Sequence, residues 1–200
     1  MKKIFILTVC VSLLLSCVTA KNYHTFEKVP APGGTVNIAV VKSSIALPQN
    51  LPVTLSASST DVILEEAVSI IDSFSLTELE GQNIFYEEIV RDETLQDTIK
   101  ISQKIRYLAV VNLVSYKKPE TTFFIGAAST STQSYQLLMR LKIYDLITGK
   151  EYSAETTAES GQTANSLILK HNRRKTVGEA SALGAAMEEG IYRLVDMLFA

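Results

Sequence analysis

The stretch YLAVVNLVSY at 107–116 decides the fold. It is apolar at nearly every position, so neither side of an extended chain would suit water. It reads as a central sheet strand covered on both faces. Downstream, QLLMRLKIYDL at 136–146 alternates instead, with Met139, Leu141 and Ile143 on one side and Arg140, Lys142 and Tyr144 on the other. Ile147-Thr148-Gly149-Lys150 turns the chain, Gly149 supplying the left-handed conformation. Residues 151–159 then alternate again, with Tyr152, Ala154, Thr156 and Ala158 sharing a face, which makes a hairpin.

Upstream, TVNIAVV at 35–41 is short, apolar and β-branched, a buried first strand, and NIFYEEIV at 83–90 reads as a second. Between them Asp61 is expected to cap a helix carrying Ile63, Ala67, Ile70 and Phe74 at helical spacing. Asp92 or Thr94 opens another helix. Residues 42–60 and 117–134 are expected to be connecting loops. Near the end, Thr176-Val177-Gly178-Glu179 forms a capping box before a long helix. Leu183, Met187, Ile191, Leu194 and Leu198 line its apolar stripe, opposite Glu188, Glu189, Arg193 and Asp196. The order β-α-β-α-β-β-β-α predicts a single α/β (α+β) domain with a mixed central sheet of about five strands and helices packed on it.

The amino terminus carries a different signal. Lys2 and Lys3 precede an apolar run from Ile4 to Leu15, too short to span a bilayer and suited to an export signal. The run closes on Leu14-Leu15-Ser16-Cys17, which resembles the bacterial lipobox. That resemblance implies lipid on the thiol of Cys17, cleavage before it, and acylation of the new terminus. It divides the chain into a signal peptide at 1–16, a lipid-anchored tether at 17–34 rich in Pro and Gly, and an α/β envelope domain at 35–200. Val18, where an Asp typically signals retention at the inner membrane, implies the outer membrane, with the domain facing the periplasm. Two readings compete: cleavage after Val18-Thr19-Ala20, giving a soluble secreted protein, and Cys17 as just another apolar residue of the signal, like Cys10. Removal of residues 1–16 leaves 21 acidic against 17 basic side chains.

The domain also resembles the periplasmic domain shared by the curli-secretion lipoprotein and the penicillin-binding-protein activator lipoprotein. The residues carrying this likeness are NIAVV at 37–41, IVRD at 89–92, IRYLAVVNLVSY at 105–116, LKIYDLITGKEYSAE at 141–155 and YRLVDML at 192–198. Asn112 departs from it, standing near where the family commonly has Gly, and 42–60 is a longer first connection than usual. The resemblance implies a scaffold or assistant in envelope assembly that contacts a membrane-bound enzyme or a secretion complex. A subunit of an oligomeric curli-type outer-membrane pore is the second implication. Of its candidate insertions, 117–134 is barely one hairpin and lacks the sustained alternation of membrane strands, and 151–175 is mostly hydrophilic apart from Leu167-Ile168-Leu169.

Composition narrows the chemistry. A net charge of -2 argues against a general nucleic-acid binder, and two Cys with two His are too few for a zinc cluster or a disulfide framework. No phosphate loop, dinucleotide fingerprint or nucleophile elbow occurs. His24 and His171 have no companion at metal or triad spacing. Glu65-Glu66, Glu87-Glu88 and Glu188-Glu189 are adjacent doublets whose side chains diverge. The expectation is therefore a binding protein, neither enzyme nor holder of a metal or cofactor; an envelope enzyme with a carboxylate site is the third alternative. Its partners would be the membrane, through the anchor, and an envelope protein, with a homo-oligomer left open. Candidate contact residues are Phe123, Phe124 and Ile125 in an apolar loop middle, and Lys170, Arg173, Arg174 and Lys175 in a basic run. An exposed sheet edge that could add a neighbour's strand is a third candidate surface.

Overall fold

The computed structural model describes residues 18–25, 27–52, 54–81, 83–118, 120–125, 128–165 and 179–199. Along these run β1 (Val18–Thr25), β2 (Val36–Val40), α1 (Ala57–Ser69), β3 (Phe74–Leu76), α2 (Tyr86–Arg91), α3 (Glu93–Ser102), β4 (Ile105–Lys117), β5 (Glu120–Ile125), β6 (Ala128–Asp145), β7 (Lys150–Asn165) and α4 (Glu179–Phe199). The strands form one mixed sheet in the order β1-β7-β6-β4-β2-β3, with β5 paired to β6. β2 lies parallel to β3 and β4, while the remaining pairs are antiparallel. This is the mixed-sheet α+β architecture expected from the element pattern, enlarged at both edges.

Strand β4 behaves as its apolar run requires. Its neighbours are β2 and β6, and Tyr107 to Leu113 are buried without interruption. Tyr107, Ala109, Val111 and Leu113 face a core shared with Leu64 and Val68 of α1 and Leu183, Met187, Ile191 and Leu194 of α4. Leu108 and Val110 face the second core, closed by Tyr86 and Ile89 of α2 and Ile99 of α3. The polar face expected for the last helix, Glu188, Glu189, Arg193 and Asp196, is exposed. Of its expected capping box, Thr176, Val177 and Gly178 lie outside the described residues. Gly149 takes φ 68° in the turn between β6 and β7, as read from the sequence.

Four expectations are corrected. NIFYEEIV is not a strand: α2 starts at Tyr86, because Tyr86 and Ile89, three residues apart, can both enter the second core only on a helix. Glu88 then accepts from the backbone N–H of Phe85 at 3.1 Å, and Glu87 and Glu88 sit favourably in the helix's first turn. The sheet position beside β2 belongs to the three-residue β3 instead. Asp61 is no cap, since α1 already begins at Ala57 and Asp61 lies a turn inside it; Phe74 belongs to β3. Asp92 is the cap of α3, accepting from Leu95 N–H at 3.1 Å.

The other two corrections concern extent. Residues 117–134 are not an open loop, because Thr-rich ETTFFI and ASTSTQ have strand-compatible side chains and pair as β5 and β6. The proposed tether at 17–34 is not a free spacer either. Val18–Thr25 pair with β7, Glu27 meets Lys150 at 2.6 Å, and Val29 is buried with its N–H donating to Leu198 C=O at 2.8 Å.

Helix α4 packs closely on the sheet at Gly190, where a Cβ would lie 2.0 Å from Met139 Cε and 3.3 Å from Ala158 Cβ. Gly184 faces open space. Gly190→Leu should therefore lower unfolding stability by about 2 kcal/mol in urea titration through overpacking. Gly184→Ala, which removes only backbone freedom, should raise it by about 0.5–1 kcal/mol.

Candidate functional site

Two regions gather the chemistry: the far end of the β5-β6-β7 ribbon, and a cavity at the other end of the sheet. In the ribbon, β7 occupies one side of β6 from Asp145 down to Thr130, so β5 must pair on the side that β4 occupies further along. β4 and β5 thus run end to end along β6. Beyond Ser134 and Gly161 the sheet continues as three strands only, closed by the Ile125–Ala128 pair. Phe123 and Phe124 stand opposite Thr130 and Ser129 in that last part of β5.

Strand β1 joins this end. It runs antiparallel to β7 with Val18 opposite Ser160 and Thr25 opposite Ala154, so its first residue is the one nearest the ribbon. Cys17 lies outside the described residues. The register brings Val18 and the backbone of Phe123, Phe124 and Ile125 toward the same end of the sheet. Lys170, Arg173, Arg174 and Lys175 lie outside the described residues. The exposed-edge candidate corresponds to β1 and β3, the outermost strands of the main order.

The cavity was not anticipated. It encloses about 460 Å³ where the parallel strands β2 and β3 end, the position at which open α/β sheets commonly hold ligands. Val40, Leu76, Leu79 and Ile84 supply apolar wall, and Lys42, Asp61, Glu65 and Glu78 supply charge. Asp61 Oδ2 is buried with no protein partner. Burial pushes the Asp61 carboxyl up to about 6, with Glu65 adding to the shift and Lys42 opposing it. Asp61 and Glu65, four residues apart on one helix face, were the available sequence signal. The arrangement suits a hydrogen-bond donor.

A third polar surface lies on the sheet face beside α2. Glu151 joins Lys142 at 2.9 Å and the Tyr86 hydroxyl, which donates at 2.9 Å. Burial first, then the Glu151 carboxylate, push the Tyr86 phenol well above its ordinary value, so it remains a donor. Arg140 pairs with Glu155, and Gln136 donates to Glu159 at 3.0 Å. Asn112, paired in register with Arg140, is 4% exposed, and neither atom of its side-chain amide has a protein partner. Glu87 holds the loop after β2 by accepting from Ser43 Oγ, Ser44 N–H and Ser44 Oγ at 2.8–2.9 Å. Its carboxyl is partly desolvated, yet these hydrogen bonds win and lower its pKa. Among the described residues no group of three or more His, Cys, Asp or Glu could hold a metal ion, and no helix is long and apolar enough to cross a membrane.

No protein-family model matches the chain, and no curated protein matches it. Several solved structures are similar to it at low identity. The PelC dodecamer of Paraburkholderia phytofirmans is 15% identical with a TM-score of 0.42, covering 92% of this chain and 99% of that one. Protein CT253 of Chlamydia trachomatis is 10% identical at TM-score 0.37, covering 82% and 95% respectively. Lipoprotein GNA1162 of Neisseria meningitidis is 14% identical at TM-score 0.32, covering 79% and 99%.

Asp61 has its pKa raised in the folded state, so the stability it contributes is present in acid and lost as pH rises from about 4 through about 6. Asp61→Asn should flatten that dependence. Once solvent screening of this half-exposed group is allowed for, the gain at pH 7 should be about 1 kcal/mol, read from urea unfolding at pH 5 and pH 7. An unchanged pH profile would show that Asp61 is freely solvated.

Proposed function

We propose that this chain is a lipid-anchored protein of the cell envelope, attached through Cys17 to the outer membrane and facing the periplasm. It works by binding, as a scaffold or assistant in envelope assembly, and not by catalysis. The single observation that carries the reading is Leu14-Leu15-Ser16-Cys17 at the end of a short charged-then-apolar leader. The pairing of Val18–Thr25 with β7 supports it, because a cut before Cys17 leaves those paired residues in place. A cut after Ala20 would instead remove the first three residues of β1. A stable hold on the bilayer needs more than one acyl chain, which the lipobox pathway supplies. The resemblance to the curli-secretion and penicillin-binding-protein activator lipoproteins belongs to the same reading: a domain that meets an envelope partner.

The three-stranded ribbon favours one second reading, a subunit of an oligomeric pore, since hairpins are what such a pore would contribute. Its composition weighs against this. ASTSTQS at 128–134 and SGQTAN at 160–165 offer no apolar band for lipid. Detergent-extracted protein should accordingly sediment as a small species, and a large ring would favour the pore.

Cells fed a radiolabelled fatty acid should label the wild-type protein and leave Cys17→Ser unlabelled, with the variant recovered at its uncleaved mass. Equal label on both would remove the anchor.

A further inference from the structure

The cavity at the ends of β2 and β3 combines a braced frame with an unmet hydrogen bond. We infer that it binds a small amphipathic amine, its nitrogen held by Asp61 and Glu65 and its hydrocarbon body by Val40, Leu76 and Ile84. This site is independent of the anchor at Cys17, and either can fail without the other.

The strand register explains why the space exists. β2 and β3 pair only from Val36–Phe74 to Ile38–Leu76, whereas β2 continues beside β4 as far as Val40–Ala109. The place that β3 vacates next to Val40 is walled by α1, through Asp61 and Glu65, and by the chain returning at Leu79 and Ile84. Backbone hydrogen bonds brace this frame. Thr77 N–H donates to Ile38 C=O at 2.9 Å, Val41 N–H to Ala109 C=O at 2.8 Å, and Tyr86 N–H to Lys42 C=O at 2.9 Å. Gly81, at φ 88°, turns the chain back, and Ile84 N–H donates to Gly81 C=O at 3.0 Å. The cavity is therefore formed before anything enters it. Its volume of about 460 Å³ falls within the roughly 300–1,000 Å³ of pockets that hold small organic molecules.

The lining chooses the chemistry. Among its described residues, Asp61, Glu65 and Glu78 outnumber the single base Lys42, so a cation is favoured over an anion. Asp61 Oδ2 is buried with no protein donor, an arrangement that leaves free energy to be gained by any N–H brought to it. An ammonium gains most, because both partners of the hydrogen bond are then charged. Burial now favours the neutral form of Asp61, and a cation beside it would restore the carboxylate. Among the described residues the acidic side chains form no metal-ligating group, which points to a donor carried by an organic molecule. Val40, Leu76, Leu79 and Ile84 offer such a molecule an apolar wall that a hydrated ion could not use.

Isothermal titration of the full-length protein with 2-phenylethylamine tests the site, with 3-phenylpropionate as the anion of the same ring and ethylamine as the ammonium with hardly any body. The phenyl amine should bind, and each of the other two should bind at least about tenfold more weakly. Asp61→Asn should weaken the phenyl amine by at least about tenfold, as loss of a charge-assisted hydrogen bond requires. Glu188→Gln, exposed on α4, should leave it unchanged. Urea unfolding checks that Asp61→Asn is folded. Should it not be, Glu65→Gln and Leu76→Asn, both at exposed positions, carry the same reading of the polar and apolar halves. Absence of binding to the wild type, or equal affinity in these cavity variants, overturns the site. Tighter binding of the propionate overturns the amine and makes Lys42 the recognition group.

Discussion

Sixteen consecutive residue pairs join β6 to β7, from Thr130–Asn165 to Asp145–Lys150, and the remainder of the molecule is arranged on that register. On one side of it β4 adds itself to β6 and β5 extends the same row; on the other, β1 adds itself to β7. The alternation of Met139, Leu141 and Ile143 with Arg140, Lys142 and Tyr144 then assigns the two faces. A slip of one residue would exchange the core side chains for the charged ones, so the hairpin turn at Gly149 and the hydrophobic pattern must agree. Asp145, 1% exposed, helps fix the end of the register. It binds Arg106 at 3.2 Å and accepts from the N–H of Ile147 at 2.9 Å as the chain enters the turn.

The two faces are closed unequally. α1 and α4 cover one face over several strands, whereas α2 and α3 are short and cover only the part around Leu108, Val110 and Tyr144. The uncovered remainder of the second face must stay wet, which is why β6 and β7 carry Arg140–Glu155 and Lys142–Glu151 there rather than apolar residues. Such ladders contribute little stability individually but keep a broad sheet face soluble. Asn112 lies at the border between closed and open parts, where a glycine or an apolar side chain would be the simpler packing choice.

Legibility in the sequence followed burial. β4, the β6–β7 hairpin and α4 were readable because each buries a continuous face and therefore carries its period in plain sight. α2 escaped because six residues hold too few repeats to tell one period from another, and Ile, Phe and Tyr favour strands when counted singly. β1 and β5 escaped for the opposite reason: as outer strands they have no need of apolar alternation, and VTAKNYHT reads as a linker. The cavity is assembled from residues as far apart as Val40 and Ile84, so only the Asp61–Glu65 spacing could have hinted at it. Of the candidate residues, Phe123 to Ile125 acquired a backbone position through the register of β5, while Cys17 and the basic run at 170–175 lie outside the described residues.

The direction of β1 has a mechanical consequence. Tension applied at Val18, as the proposed anchor would apply it, would act along the strand axis, while the ladder bonds to β7 run across it. The paired residues are then loaded together, as in shear, and not one at a time as in peeling. A pull along that direction would have to break the whole ladder at once before the first strand let go.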